Sequence, residues 1–208
     1  MRISTKPYLT ALAAALPLAL GVGAASARTL SMSSQTFRVT WSRLEFQNAT
    51  FGVTVRCPVT LEGSFHSRTL AKTLGSLIGA ITAARAKEES CTGGRVHLKN
   101  LPWHVTYEGF TGTLPNISGV VFLVSRFRFE VIEPGICTGD YGTTEDNIKA
   151  RGDRDASGAI TRIEYPAGTN VANLVTSLGM CAPTISIVGS EGLMTALNSS
   201  ARITVTLI

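Results

Sequence analysis

Oxygen-bearing side chains recur through one stretch of the chain, Asp153-Arg154-Asp155-Ala156-Ser157-Gly158-Ala159-Ile160-Thr161-Arg162-Ile163-Glu164. Asp153, Asp155, Ser157 and Glu164, with Gly158 between them, follow the order in which a calcium loop wraps hard oxygens around the ion and turns sharply on glycine. The flanks argue otherwise. Helices bracket such a loop, whereas Gly152 precedes this stretch, Pro166-Ala167-Gly168 follows it, and Arg154 and Arg162 bring positive charge to the place of the cation. A β-hairpin accounts for the same residues, with 148–151 entering, 155–158 turning on a positive-φ Gly158 and 160–163 returning. The expectation is a hairpin with no metal bound.

His66, His97 and His104 are the other candidates for chemistry, all on the polar phase of alternating segments. Glu62 lies near His66 and Glu108 near His104, which would suit a secreted hydrolase. A nucleophile is missing from that picture, because the chain has no G-x-S-x-G, S-x-x-K, H-E-x-x-H or Cys–His signature. No catalytic or cofactor-binding residue is assigned and no cofactor is implied. Arg151-Gly152-Asp153 spells an integrin tripeptide but belongs to the predicted hairpin. Asn48, Asn116 and Asn198 open N-x-S/T sequons. Trp103 and Tyr107 could stack on a sugar ring, although their apolar phase suits a core equally well.

Cys57, Cys91, Cys137 and Cys181 form an even set without the C-x-x-C or H-x-x-x-H spacing of a zinc site. In an oxidising compartment they predict two disulfides. Of the three pairings, Cys57 with Cys91 and Cys137 with Cys181 is preferred, because each staples one half of the chain. Closing loops of that length is worth roughly 3–4 kcal/mol each in the chain-entropy model.

The elements that must carry these groups are strands. From 51 to 65 the odd positions are Phe51, Val53, Val55, Cys57, Val59, Leu61, Gly63 and Phe65, a period of two that predicts a long strand, or two in line, with Cys57 inward. Pro58 cannot donate to a ladder, so the strand lies at an edge there or bends. Phe37, Val39 and Trp41 alternate likewise, and Leu44 and Phe46 continue after a frame shift that predicts a bulge or turn. Further alternation appears at Leu101, Trp103, Val105 and Tyr107, at Phe127, Phe129 and Val131, at Ile185 and Ile187, and at Ile203, Val205 and Leu207. Turn residues at Gln47-Asn48, Gly93-Gly94, Pro115-Asn116, Pro134-Gly135, Ala156-Ser157-Gly158 and Gly189-Ser190-Glu191-Gly192 separate them. The predicted fold is mainly β, an antiparallel β-sandwich with a barrel as the alternative and at most one or two short helices. Two segments fit helix or strand. In 69–87, Leu70, Leu74, Leu77, Ile78 and Ile81 have helical spacing that Gly75 and Gly79 oppose. In 170–179, Val171, Leu174, Val175 and Leu178 close on Gly179.

Residues 1–27 read as a cleavable secretory signal peptide. Arg2 and Lys6 precede an apolar stretch from Leu9 to Val22, shorter than the ~20 residues of a spanning helix, and Ala25-Ser26-Ala27 supplies the small residues a signal peptidase accepts. Cleavage leaves 28–208 as a single disulfide-stapled β domain with no stable membrane anchor. The net charge falls from +5 to +3 as Arg2 and Lys6 leave. The remaining positive residues are scattered, in pairs no denser than Arg126 and Arg128, so nucleic acid is not a predicted partner.

Gly63-Ser64-Phe65-His66-Ser67-Arg68-Thr69 through Leu77-Ile78-Gly79, and Leu101-Pro102-Trp103-His104-Val105 with Gly112-Thr113-Leu114-Pro115, give the middle third of the chain a further character. It resembles exported β-rich proteins of unknown function from high-GC soil bacteria. The resemblance implies a bacterial secreted protein and brings no activity, ligand or site. The expected function is that of an exported, non-enzymatic structural or binding module in the periplasm, at the cell surface or in the medium, with a surface glycan or an apolar ligand as partner. A β-barrel carrier of an apolar ligand and a secreted hydrolase using His66 or His104 are the alternatives.

Overall fold

The alternating segments form strands throughout the computed structural model, which describes residues 29–143 and 147–208. The leader read in the sequence lies outside them. In chain order the strands are β1 (Thr29–Met32), β2 (Thr36–Asn48), β3 (Val53–Phe65), β4 (Thr69–Ala71), β5 (Leu77–Ala86), β6 (Arg95–Lys99), β7 (Trp103–Thr113), β8 (Asn116–Ser125), β9 (Arg128–Glu133), β10 (Cys137–Gly142), β11 (Ile148–Arg154), β12 (Ile160–Gly179), β13 (Thr184–Ala196) and β14 (Val205–Leu207). One 3-10 turn, Glu88–Ser90, is the only helical element among the described residues. Every ladder is antiparallel.

Four strands, β2, β3, β12 and β13, run the length of the molecule, and different shorter strands complete each half. In the first half the order β11-β8-β7-β5-β3-β2-β13-β12 returns on itself, because β11 also pairs with β12. That ladder closes an eight-stranded ring, the barrel form of the predicted fold. In the second half β10, β9 and β6 extend outward from β12. The return from β6 to β3 is made by a single bridge, Arg56 with Thr92, and by the Cys57–Cys91 disulfide beside it. A small sheet ordered β14-β1-β4 lies across the open end of the first ring and buries Leu30, Met32, Leu70 and Val205.

The core is continuous from one half to the other. Phe37, Trp41, Phe65, Phe122 and Tyr165 fill the first ring, with the Trp41 and Tyr165 rings stacked at 5.5 Å. Phe46, Phe127, Phe129 and Tyr141 fill the second, where Phe46 and Phe129 meet at 5.0 Å. Cys57 points inward, as the alternation of β3 requires.

The frame shift in β2 and the proline in β3 are one feature. Trp41 pairs with Val59 and Leu44 with Cys57, so Ser42 and Arg43 together face Pro58. A bulge leaves the opposing position without a ladder partner, and that is where a residue lacking an N–H does least harm. Similar slips explain the two ambiguous segments, which form β4 and β5 with a short connection, and part of β12, rather than helices. In β5 the ladder slips between Leu77 and Gly79, so Ile78 and Ile81 both face inward although three residues apart. In β12 the register with β10 slips twice between Ala172 and Gly179. A period of two interrupted by an extra residue imitates helical spacing. Gly189-Ser190-Glu191-Gly192 likewise lies inside β13 rather than at a turn. A Cβ on Gly192 would sit 2.4 Å from Trp41 Cε2, and one on Gly189 2.3 Å from Leu44 Cδ1, so these glycines let the β2 side chains lie against the β13 backbone.

Candidate functional site

The calcium-like stretch folds as the expected hairpin, with β11 entering, Asp155 to Gly158 turning and β12 returning. Its oxygens are directed at protein groups. Asp153 is paired with Arg151 and Arg162, and Glu164 with the same two arginines. Asp155 Oδ1 accepts hydrogen bonds from the Ser157 hydroxyl at 2.6 Å and from the backbone N–H groups of Ser157 and Ala159. The Ser157 hydroxyl leads these in holding the Asp155 carboxyl below the usual range. Two guanidiniums occupy the electrostatic role that a divalent cation would have. Among the described residues no three His, Cys, Asp or Glu side chains gather as a metal would need. Arg151-Gly152-Asp153 lies within β11, its charged ends bound across to β12.

The histidines do not converge with the acids proposed for them. Glu62 is bonded to Arg38 at 2.8 Å, and Glu108 is paired with Lys149 at 3.5 Å. His66 is exposed past the end of β3, and His104 stands on the outward phase of β7. Trp103 and Tyr107 are core residues, 0% and 3% exposed, and the Trp103 indole N–H donates to the Lys99 carbonyl at 2.9 Å. Neither ring is open to a sugar. Of the sequon asparagines, Asn48 is buried, while Asn116 and Asn198 are exposed.

Three arrangements are assembled that spacing in the sequence did not reveal. On the outer face of β6, β9 and β10, His97 bridges Glu130 (2.9 Å) and Glu88 (3.1 Å), Lys99 bridges Glu130 (2.7 Å) and Asp140 (3.0 Å), and Arg128 bonds Asp140 at 2.8 Å. The Lys99 ammonium beside Glu130 holds that carboxyl low, and Glu130 in turn raises Lys99. Burial pushes against ionisation of Asp140, but Lys99 and Arg128 together hold it low. At the far end of the second ring Asn48 Nδ2 donates to both oxygens of Glu133, at 2.8 and 3.2 Å. Both residues are buried, and burial raises the Glu133 pKa against the opposing effect of the Asn48 hydrogen bonds.

The third arrangement is the interior of the first ring. All eight strands contribute to its lining, which includes Phe37, Phe65, Phe122, Tyr165 and Met194 and is wholly apolar. The space left within is about 50 Å³, against the roughly 150 Å³ of an apolar cavity that holds benzene. An eight-stranded barrel is just wide enough for side chains to fill. Here aromatic rings fill it, and the ring is a packed core rather than an open chamber.

A family model of PraA/PraB-like alkane oxidation protein activators matches residues 3–153. The chain belongs to the PraA/PraB-like family. No curated protein and no solved structure matches it. The PraA/PraB-like match extends from residue 3 into β11 and so takes in both cysteines of the Cys57–Cys91 staple. It replaces the broad likeness to soil-bacterial exported proteins with a defined family. The preferred cysteine pairing is the one formed, Cys57 with Cys91 and Cys137 with Cys181.

Proposed function

We propose that this chain is exported, by cleavage of its leader after Ala27, and works at the cell surface or in the medium as a non-catalytic activator of alkane oxidation performed by other proteins. Its contribution is binding rather than bond-making. The observation that carries the reading is the match to an activator family over most of the chain. The engagement of Glu62, Glu108, Glu130 and Asp153 in ion pairs supports it, since a general base must be free to take a proton. Two disulfides favour an oxidising destination outside the cytoplasm. Because aromatic side chains fill the first ring, the reading places binding on the outer surface rather than inside a barrel.

Purified mature protein added to alkane-oxidising cells that lack their own copy is expected to raise alkane-dependent oxygen uptake severalfold, and to consume no oxygen with alkane alone. Oxidation by the protein by itself would make it an enzyme. An unchanged rate in the cells would remove the activator role. Mass spectrometry of the exported product should find Arg28 as its first residue, and retention of the leader would overturn the export step.

A further inference from the structure

Arg126 and Arg128, two residues apart in the chain, both lie on the wall of one open pocket of about 350 Å³ where the two rings join. The connection from β6 to β7 supplies Asn100, Leu101 and Pro102, the connection from β8 to β9 supplies Arg126, and Thr143 and Leu174 complete the wall from beyond β10 and from β12. Strands of the first ring and strands of the second therefore meet around it.

Three independent observations point to an occupant. First, Arg128 Nε and Thr143 Oγ1 are buried polar atoms without a hydrogen-bond partner among the described residues, and both residues line this pocket. A buried donor left unsatisfied costs about 1–3 kcal/mol, so a small rotation of either side chain toward an acceptor in the pocket is favoured. Second, the two non-glycine residues of positive φ among the described residues, Asn100 at 56° and Arg126 at 59°, both lie on this wall. Asparagine tolerates that conformation, but arginine does so only at a cost, and residues held this way cluster at ligand sites. Third, Arg126 is exposed and makes no ion pair among the described residues, while Arg128 commits Nη2 to Asp140. Asp140 is shared between Arg128 and Lys99, so on the pocket wall it is the Arg126 guanidinium that has no carboxylate partner among the described residues. Leu101, Pro102 and Leu174 give it an apolar side.

We propose that this junction pocket binds an alkyl carboxylate, its head group between Arg126, Arg128 Nε and the Thr143 hydroxyl and its first methylenes against Leu101 and Leu174. The arginine fork matches a carboxylate or a phosphate in geometry. The apolar side formed by Leu101, Pro102 and Leu174 favours a head group that carries an alkyl chain over inorganic phosphate. The assignment stands on the pocket alone. Its link to the proposed activator role is that oxidation of a terminal alkane carbon ends in a carboxylate, so the site would take the product class of that pathway.

Isothermal titration of the mature protein with octanoate, acetate, octanol and inorganic phosphate tests the site without any measurement of alkane oxidation, so this inference and the activator reading can fail separately. Octanoate is expected to bind saturably, with acetate and octanol each weaker by roughly tenfold or more because one half of the contact is lost. Arg126→Gln, a surface change, should weaken octanoate by roughly tenfold or more, with Arg126→Lys intermediate because a point charge replaces the fork. Leu174→Asn should weaken octanoate and leave acetate unchanged. Absence of saturable octanoate binding, or binding that Arg126→Gln leaves intact, would overturn the site. Phosphate binding as tightly as octanoate would overturn the choice of carboxylate.

Discussion

Replacing Cys57 and Cys91 together with alanine removes the staple across the one seam where strand pairing does not close the second ring. The linked residues are 34 apart, and in the chain-entropy model closing that loop removes about 12.6 cal/mol/K from the unfolded chain, or about 3.8 kcal/mol at 25 °C. A domain of this size has about 5–15 kcal/mol in total, so the variant should fold with a melting temperature lower by roughly 8–15 °C. Cys137 and Cys181 are 44 apart, and the same arithmetic gives about 4.0 kcal/mol. Chain entropy alone thus predicts nearly equal losses for the two staples. Their surroundings separate them, because Cys137 also stands in a β10–β12 ladder, whereas beside Cys57 the Arg56–Thr92 bridge is the one strand pairing across the seam among the described residues. Amide hydrogen exchange should show Arg95–Lys99 losing protection in the Cys57/Cys91 variant, and keeping it in the Cys137/Cys181 variant. Equal protection of β6 in both variants would refute the claim that the first disulfide stands in for a missing ladder. Urea unfolding supplies the stability loss, and a value below about 1 kcal/mol would refute the loop argument for this bond.

Other expectations follow from particular side chains. The pKa of Glu133 is raised in the folded protein, so its contribution to stability is complete below the unfolded value of about 4.3 and is lost as pH rises through the folded value. Glu133→Gln should therefore gain about 1–3 kcal/mol on the parent at pH 7 and little at pH 4, measured by urea midpoints; a variant less stable at pH 7 would contradict this. Gly192→Ala puts a Cβ 2.4 Å from Trp41 Cε2, and should cost about 1–3 kcal/mol while shifting tryptophan fluorescence; an unchanged spectrum and midpoint would refute the close approach. Calcium added to the mature protein should leave its melting temperature where it was, since Arg151 and Arg162 hold the candidate ligands, and a calcium-dependent rise would restore the metal loop.

Much of the fold is legible in the sequence because burial on one face imposes a period of two. β3 shows it plainly, with Val55, Cys57, Val59, Leu61 and Phe65 inward. The hairpin at Asp155 could be read from its turn residues, and the cysteine pairing from its spacing. Bulges were harder. The slip at Gly79 gives Ile78 and Ile81 the spacing of a helix, and nothing local distinguishes an extra strand residue from a turn of α-helix. Gly189 and Gly192 look like a turn because the reason for them, the Trp41 indole, comes from a strand about 150 residues away in sequence. The candidate sites were less visible still. Arg126 and Arg128 stand out only as neighbours in the chain, whereas Thr143 and Leu174 reach their pocket through the pairing of β10 with β9 and β12, which spacing in the sequence does not reveal. His97, Lys99 and Asp140 meet across three strands for the same reason.

The four long strands have a mechanical consequence. A strand of 13 residues such as β2 spans about 43 Å, and its hydrogen bonds serve one ring near one end and the other ring near the other. Neither half can fray far without dragging on the ladders of its neighbour, so thermal energy cannot be absorbed by sacrificing a single half. A molecule built this way should melt as one cooperative unit, and a load applied at one end would be felt at the other through continuous covalent chain rather than through a deformable linker.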